Sequence, residues 1–276
     1  MANNASPVAR RLAARHGVTL DGLSGSGPGG RVVKADVERA AQPGPLDAGD
    51  EVTVEPLTSV QSTIAARITA AKATVPDFTL TTEVEMDAAL ELRSHLSELG
   101  LDPLPSINDL VLKACAVALR AHPRVNASYG DGTIEIHRRV NIAVAVPAPD
   151  ALLVPVVADA DAKTLAQITV ETRALAQLAR TGSLTPDQVS GATFTISNLG
   201  MYGVTQFSAI LNPPQAAILA VGSVREHGLV LDGGLVSRRQ MSLTATCDHR
   251  ILYGADAATF VQSIKTTLEQ PLRLLV

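Results

Sequence analysis

The chain of 276 residues has no tryptophan, two cysteines and only 3% aromatic side chains. Each scarcity removes a class of protein. A core without large rings must be assembled from Val, Leu, Ile and Ala. Two cysteines as far apart as Cys115 and Cys247 form neither a disulfide framework nor a metal cluster, which fits a reducing compartment and leaves no metal site in prospect. No run of 18 or more uninterrupted apolar residues exists, so a spanning helix is excluded. The first ten residues, MANNASPVAR, lack the apolar stretch of a secretory signal. A cytoplasmic location, with no membrane attachment, is the expectation.

What is present is globular. Hydrophobic residues make up 46% and charged residues 18%. The net charge of -4 argues against generic nucleic-acid binding. The charge is unevenly spread. Residues 6–41 hold six cations (Arg10, Arg11, Arg15, Arg31, Lys34, Arg39) against three anions (Asp21, Asp36, Glu38). A small basic head on a larger acidic body predicts two units with different surfaces.

Local rules outline the head. Ser6 suits an N-cap, Pro7 the first helical position, and Gly17 a helix stop after VARRLAARH. Gly25–Arg31, GSGPGGR, must be a tight loop, and a second short helix over about 35–41 follows. Leu12, Val18, Leu20, Val32 and Val37 are the candidate core. Gln42–Asp50 has two prolines, two glycines and no periodicity, and reads as a linker. The domain reading is therefore head 6–41, linker 42–50 and body 51–276.

In the body, apolar periodicity predicts helices over 59–72, 110–121, 164–180 and 255–268, and one over 88–99 capped by Asp87 and closed by Gly100. Alternation predicts strands over 78–86, 133–138, 140–146 and 152–157, with a hairpin turn at 147–151, and over 192–197, 206–211 and 216–221. Two more strands flank the turn DGG at 232–234. Strands and helices mix without regular βαβ alternation, so the fold class expected is an α/β sandwich on a mixed sheet.

Two segments point to chemistry. Cys247-Asp248-His249-Arg250 ends a strand just before a helix, and histidine is the side chain best suited to proton transfer near neutrality. One histidine among six is more often structural. Gly191–Gly203 is a Thr/Ser strand leading into a glycine turn. Ser197 at its end is placed to hydrogen-bond an oxyanion, although an ordinary edge strand reads the same way.

Together these segments resemble the C-terminal part of a 2-oxo-acid dehydrogenase E2 subunit, a dihydrolipoamide acyltransferase. The motifs are DHR-x-x-x-G at 248–254, GATFTISNLG at 191–200, LNPPQAAILAVG at 211–222 and PAPDALLVPVV at 147–157. The head, SPVARRLAARHGV followed by GSGPGGRVVKADV, resembles the peripheral subunit-binding domain of the same family. The resemblance implies a chloramphenicol acetyltransferase-like sandwich and a homotrimer with its active site between subunits. It implies coenzyme A or acetyl-CoA as co-substrate and no metal. By the same resemblance His249 is the general base and Ser197 the oxyanion donor. Phe207, Leu219 and Asn198 would line the substrate channel, and Arg10 and Arg31 would dock an acidic partner, a dehydrogenase or a carrier protein. The chemistry needs no acyl-enzyme nucleophile. Cys115 lies in an apolar helix, and Cys247 alternates onto a buried strand face.

The sequence departs from the family pattern in several places. No lipoyl module precedes the head, so no covalent lipoate is expected in this chain. Tyr253 stands four residues after the base, where Asp or Asn is usual, and with His249 and Ser197 completes the expected catalytic set. Ala14 replaces a second docking Arg, and Asp77 stands where His is common. Three readings follow, in order of preference. The first is a freestanding acetyltransferase acting on a small hydroxyl acceptor, such as a hydroxymethyl tetronate in polyketide biosynthesis. The second is an E2 core served by a lipoyl domain in trans. The third is a non-catalytic assembly subunit, against which the retained His249 and Ser197 argue.

Overall fold

A computed structural model describes residues 4–41, 52–148, 152–231 and 233–275. The chain divides into two compact units, Met1–Pro56 and Leu57–Val276. The predicted linker lies outside the described residues.

The head is built on α1 (Pro7–His16) and α2 (Lys34–Ala41). The Ser6 hydroxyl accepts from the Ala9 N–H at 3.1 Å, and Gly17 ends α1 in the left-handed region with φ 66°. Val32 and Val37 are fully buried as expected, while Leu12, Val18 and Leu20 pack only partly. The centre is made instead by Ala5, Ala9 and Ala13, whose small side chains let α1 approach the loop closely. Asp36 ties the two halves. Its buried carboxylate accepts from the backbone N–H groups of Ser26 (2.9 Å) and Val33 (3.0 Å).

The body begins with α3 (Ser59–Thr74), opened by a reciprocal cap between Thr58 and Gln61. There follow β1 (Asp77–Glu85), α4 (Asp87–Glu98) and α5 (Ile107–Ala121). Short strands come next: β2 (Ala127–Gly130), β3 (Thr133–Ile136), β4 (Ile142–Val144), β5 (Val146–Pro147), β6 (Leu152–Leu153) and β7 (Val156–Val157). The chain ends with α6 (Leu165–Arg180), β8 (Phe194–Asn198), β9 (Ala217–Val221), β10 (Arg225–Leu231), β11 (Gly234–Asp248) and α7 (Gly254–Glu269).

Seven strands form one sheet in the order β1-β11-β9-β8-β4-β7, with β10 paired to the far part of β11. β9–β8 and β8–β4 are parallel and the other pairs antiparallel, so the sheet is mixed as expected. Its two faces differ in chemistry. Leu243, Ala245 and Cys247 of β11, Ala217, Leu219 and Val221 of β9, and Phe194 and Ile196 of β8 form one apolar core with α5 and α7. Phe194 meets Phe260 of α7 edge to face at 5.7 Å. The alternate residues show hydroxyls: Thr79 and Thr81 of β1, Thr244 and Thr246 of β11, Thr195 and Ser197 of β8. Period-two alternation thus separates a packing face from a polar one.

Several expectations need correction. Residues 206–211 are no strand. The run Val204–Gln206 crosses the polar face and spends its polar groups outside any ladder. The Val204 carbonyl accepts from Ser223 N–H (2.8 Å), Arg225 donates to Thr205 Oγ1 (2.7 Å), and Gln206 donates to Thr81 Oγ1 (3.1 Å). Gly222 permits that crossing, because a Cβ there would stand 2.0 Å from the Thr205 carbonyl oxygen. Asp87 does not cap α4. It is the first helical residue, and its carboxylate accepts from the backbone N–H and Nε of Arg239 (3.1 and 2.7 Å). The expected strands 140–146 and 152–157 break into β4–β5 and β6–β7. β5 pairs with β6 as a hairpin, of which residues 149–151 lie outside the description. Strand β2 was not anticipated.

Candidate active site

His249 is the first residue beyond β11. The register Asp77↔Asp248 brings the start of β1 beside it, and its backbone N–H donates to the Pro76 carbonyl at 2.9 Å. The turn that follows is fixed from within. Asp248 is 2% exposed, and its carboxylate receives Nε and Nη2 of Arg250 at 3.0 and 2.7 Å and the Arg250 backbone N–H at 2.9 Å. The Arg250 guanidinium lies 4.1 Å over the Tyr129 ring. Arg124 donates to the Ile251 carbonyl at 2.9 Å, and the Tyr253 N–H donates to Asp256 at 3.0 Å to start α7. A buried carboxylate must be paired and hydrogen-bonded to be tolerated, and here both conditions hold. The imidazole is therefore displayed on a rigid corner. It is solvent-exposed, with the Phe78 ring at 4.7 Å and the Tyr253 ring at 5.8 Å.

Ser197 is half-buried on the polar face of β8, and its side chain makes no hydrogen bond among the described residues. The next residue, Asn198, uses both ends of its amide: Oδ1 accepts from the Gly200 N–H (2.8 Å) and Nδ2 donates to Asn108 Oδ1 (3.2 Å). Gly200 is required, since a Cβ there would meet the Gly222 carbonyl at 2.6 Å. Asn198 also walls a cleft of about 430 Å³ together with Ser106, Asn108, Arg173, Arg180 and Met201.

Not all the expected residues meet. Ser197 is in register with Ala220, and Ala220 with Thr244, five positions before His249. At the usual strand rise and spacing this separates Ser197 from His249 by about 16 Å along the sheet and about 10 Å across it. Within one chain they share no site. Phe207 is half-buried, immediately after the run that crosses the polar face. Leu219 is 0% exposed and sits in the core between Ile196 and Ala245, so it has no surface with which to line a channel. It alternates onto the apolar face of β9, a parity that the motif alone does not encode.

The cysteines match the reading from sequence. Both are buried. Burial, and then the charge of Asp248, pushes the Cys247 thiol up to about 12, and burial raises Cys115 further still. Arg10 and Arg31 are exposed on the head. Sequence reasoning missed Phe78, Asn108 and the Asp248–Arg250 pair. The aspartate and arginine were visible in DHR, but a carboxylate two residues from a guanidinium does not announce that it is buried. Among the described residues no helix is long and apolar enough to cross a membrane.

The chain thus combines a mixed α/β sheet with an exposed imidazole just past the end of β11 and a half-buried hydroxyl on the polar face of β8. Residues 49–276 match the family described as 2-oxoacid dehydrogenases acyltransferase (catalytic domain), and residues 3–38 match the E3 binding domain. The chain belongs to the 2-oxoacid dehydrogenase acyltransferase family. It is 40% identical, over 99% of its length, to the dihydrolipoyllysine-residue acetyltransferase component of the mitochondrial pyruvate dehydrogenase complex of Caenorhabditis elegans, and spans 57% of that relative. The dihydrolipoamide acetyltransferase of Azotobacter vinelandii aligns at 30% identity with a TM-score of 0.79, over 85% of this chain and 99% of that one. The cubic core of a pyruvate dehydrogenase multienzyme complex aligns at 30% identity with a TM-score of 0.80, over 85% and 98%. In the Azotobacter enzyme a serine, a histidine and an asparagine were investigated for their roles in catalysis. The serine precedes the histidine by 52 positions and the asparagine follows it by four. Ser197 precedes His249 by 52, and Tyr253 follows it by four.

Proposed function

We propose that this chain is an E2-type acyltransferase that exchanges an acetyl group between coenzyme A and a dihydrolipoamide thiol. One observation carries the reading: Ser197 and His249 keep the spacing of the serine and histidine of the Azotobacter enzyme. His249 takes the proton from the incoming thiol. The thiolate attacks the thioester carbonyl, and the tetrahedral oxyanion accepts a hydrogen bond from Ser197. Collapse expels the other thiolate, which recovers the proton from His249. General-base catalysis of this kind contributes roughly 10²–10⁴-fold, and one oxyanion donor about 3–4 kcal/mol.

The two groups are far apart in one chain, so the site is formed between copies in a closed oligomer, a homotrimer in this reading. The cleft walled by Asn198 takes the nucleotide end of coenzyme A, with Arg173 and Arg180 as its cations. Arg10 and Arg31 dock an acidic face of a dehydrogenase partner, in keeping with the match of residues 3–38. Two of the relatives described above belong to pyruvate dehydrogenase complexes, which favours this reading over the freestanding hydroxyl acetyltransferase.

The test is a mass-spectrometric assay with acetyl-CoA, offering free dihydrolipoamide and small alcohols such as a hydroxymethyl tetronate side by side. Acetyl-dihydrolipoamide is the expected product, and His249→Ala lowers its rate at least about 10²-fold. Acetylation of the alcohol alone would return the reading to the freestanding enzyme. No turnover of either acceptor would favour the assembly subunit.

A further inference from the structure

We propose that Phe78 and Tyr253 are positioning residues that hold the His249 imidazole by aromatic contact, and that in this chain position 253 works through its ring rather than through an amide. The inference rests on the reading of His249 as the base.

The imidazole is exposed and makes no hydrogen bond among the described residues, so its backbone anchor alone leaves its rotamer open. Two rings lie against it. Phe78 is tilted at 54° with centroids 4.7 Å apart, and Tyr253 stands edge to face at 71° and 5.8 Å. Both geometries fall in the range where aromatic pairs attract beyond simple burial. The two residues are anchored differently. Phe78 is in register with Cys247 in the β1–β11 ladder and packs against the core. Tyr253 is anchored through its backbone, whose N–H donates to Asp256 at the start of α7, while its ring is 59% exposed and lies against the imidazole. One ring therefore comes from a strand and the other from the residue that precedes a helix, and the base sits where the two elements meet. The asparagine of the Azotobacter enzyme falls four residues after its histidine and has only an amide to offer. A tyrosine at the same place presents a ring edge to the imidazole.

The test uses the full-length oligomer and two readouts. The first is the rate at which diethyl pyrocarbonate modifies His249, followed on its peptide by mass spectrometry, which needs no turnover. The second is the split between kcat and KM in the dihydrolipoamide assay. Tyr253→Ala and Phe78→Leu should each raise the modification rate several-fold. They should lower kcat by roughly 3- to 10-fold, the size of one aromatic pair, while KM for acetyl-CoA stays unchanged. Tyr253→Phe should keep wild-type values in both readouts, whereas Tyr253→Asn should behave like the alanine variant. The inference is overturned if Tyr253→Ala leaves the modification rate unchanged, or if Asn restores what Phe does not. Should the wild type prove inactive while the modification rates move as stated, the aromatic contact stands and the acyltransfer reading fails. Should activity depend on His249 while neither ring variant alters either readout, acyltransfer stands and the contact fails.

Discussion

Ser197 is level with Thr244 on the sheet, five residues short of His249, and one strand lies between its own strand and that of the histidine. That offset is the central fact of the site. A base must come within about 3 Å of the proton it moves, and an oxyanion donor must lie equally close to the same substrate carbonyl. One chain holds the two groups well apart along a polar sheet face, so in the proposed acyltransfer reading each chain carries two half-sites.

Arg250 is predicted to be as important to the base as any group that touches substrate. Arg250→Ala would strand the Asp248 carboxylate, which is 2% exposed, without its bidentate partner. Breaking such a pair from one side costs about 3–5 kcal/mol. Thermal unfolding should show a lower Tm, and turnover should fall because the 248–253 turn loses its shape. A variant with wild-type Tm and turnover would remove the pair from the account.

Cys247 should be dispensable. Its thiol stands near 12, held there by burial and the neighbouring Asp248 charge, so it is neither ionised nor accessible at neutral pH. Cys247→Ala is expected to retain kcat and to lose only the stability of a small filled cavity. Incubation of the wild type with a thiol reagent at pH 7.5 should leave both cysteines unmodified by mass. Loss of turnover in Cys247→Ala would point to a covalent route instead.

The head should carry its own acid transition. Backbone hydrogen bonds from Val33 and Ser26 hold the Asp36 carboxyl down from 3.8 to about 2. A depressed folded value stabilises the head at pH above the unfolded value, and that contribution is lost as pH falls from about 4 towards 2. NMR signals of residues 4–41 in the full chain should melt over that window. Asp36→Asn should weaken the head at pH 7 and converge with the wild type near pH 2. A variant indistinguishable from wild type at pH 7 would contradict this role.

Most long elements were legible because their signals are local. Caps and periodicity gave α1 and α6 nearly to the residue, and alternation gave β1 and β9. The failures were non-local. Residues 206–211 alternate like a strand, yet they join no ladder among the described residues, and Gly222 lets the chain that leads into them cross the sheet instead. Asp87 has the chemistry of a cap but is claimed by Arg239, 152 residues away. His249 and Ser197 were readable from their motifs. The burial of Leu219 and the ring of Phe78 against the imidazole depend on strand register, which no short motif encodes.

The most direct test of a site shared between copies is complementation. Ser197→Ala and His249→Ala chains, each inactive alone, would be co-expressed in equal amounts and purified as mixed oligomers. If one copy supplies the base and its neighbour the hydroxyl, random assembly makes ~25% of the sites whole, and turnover should recover to about that fraction of the wild type. Mixed oligomers that stay as inactive as either parent would contradict the account.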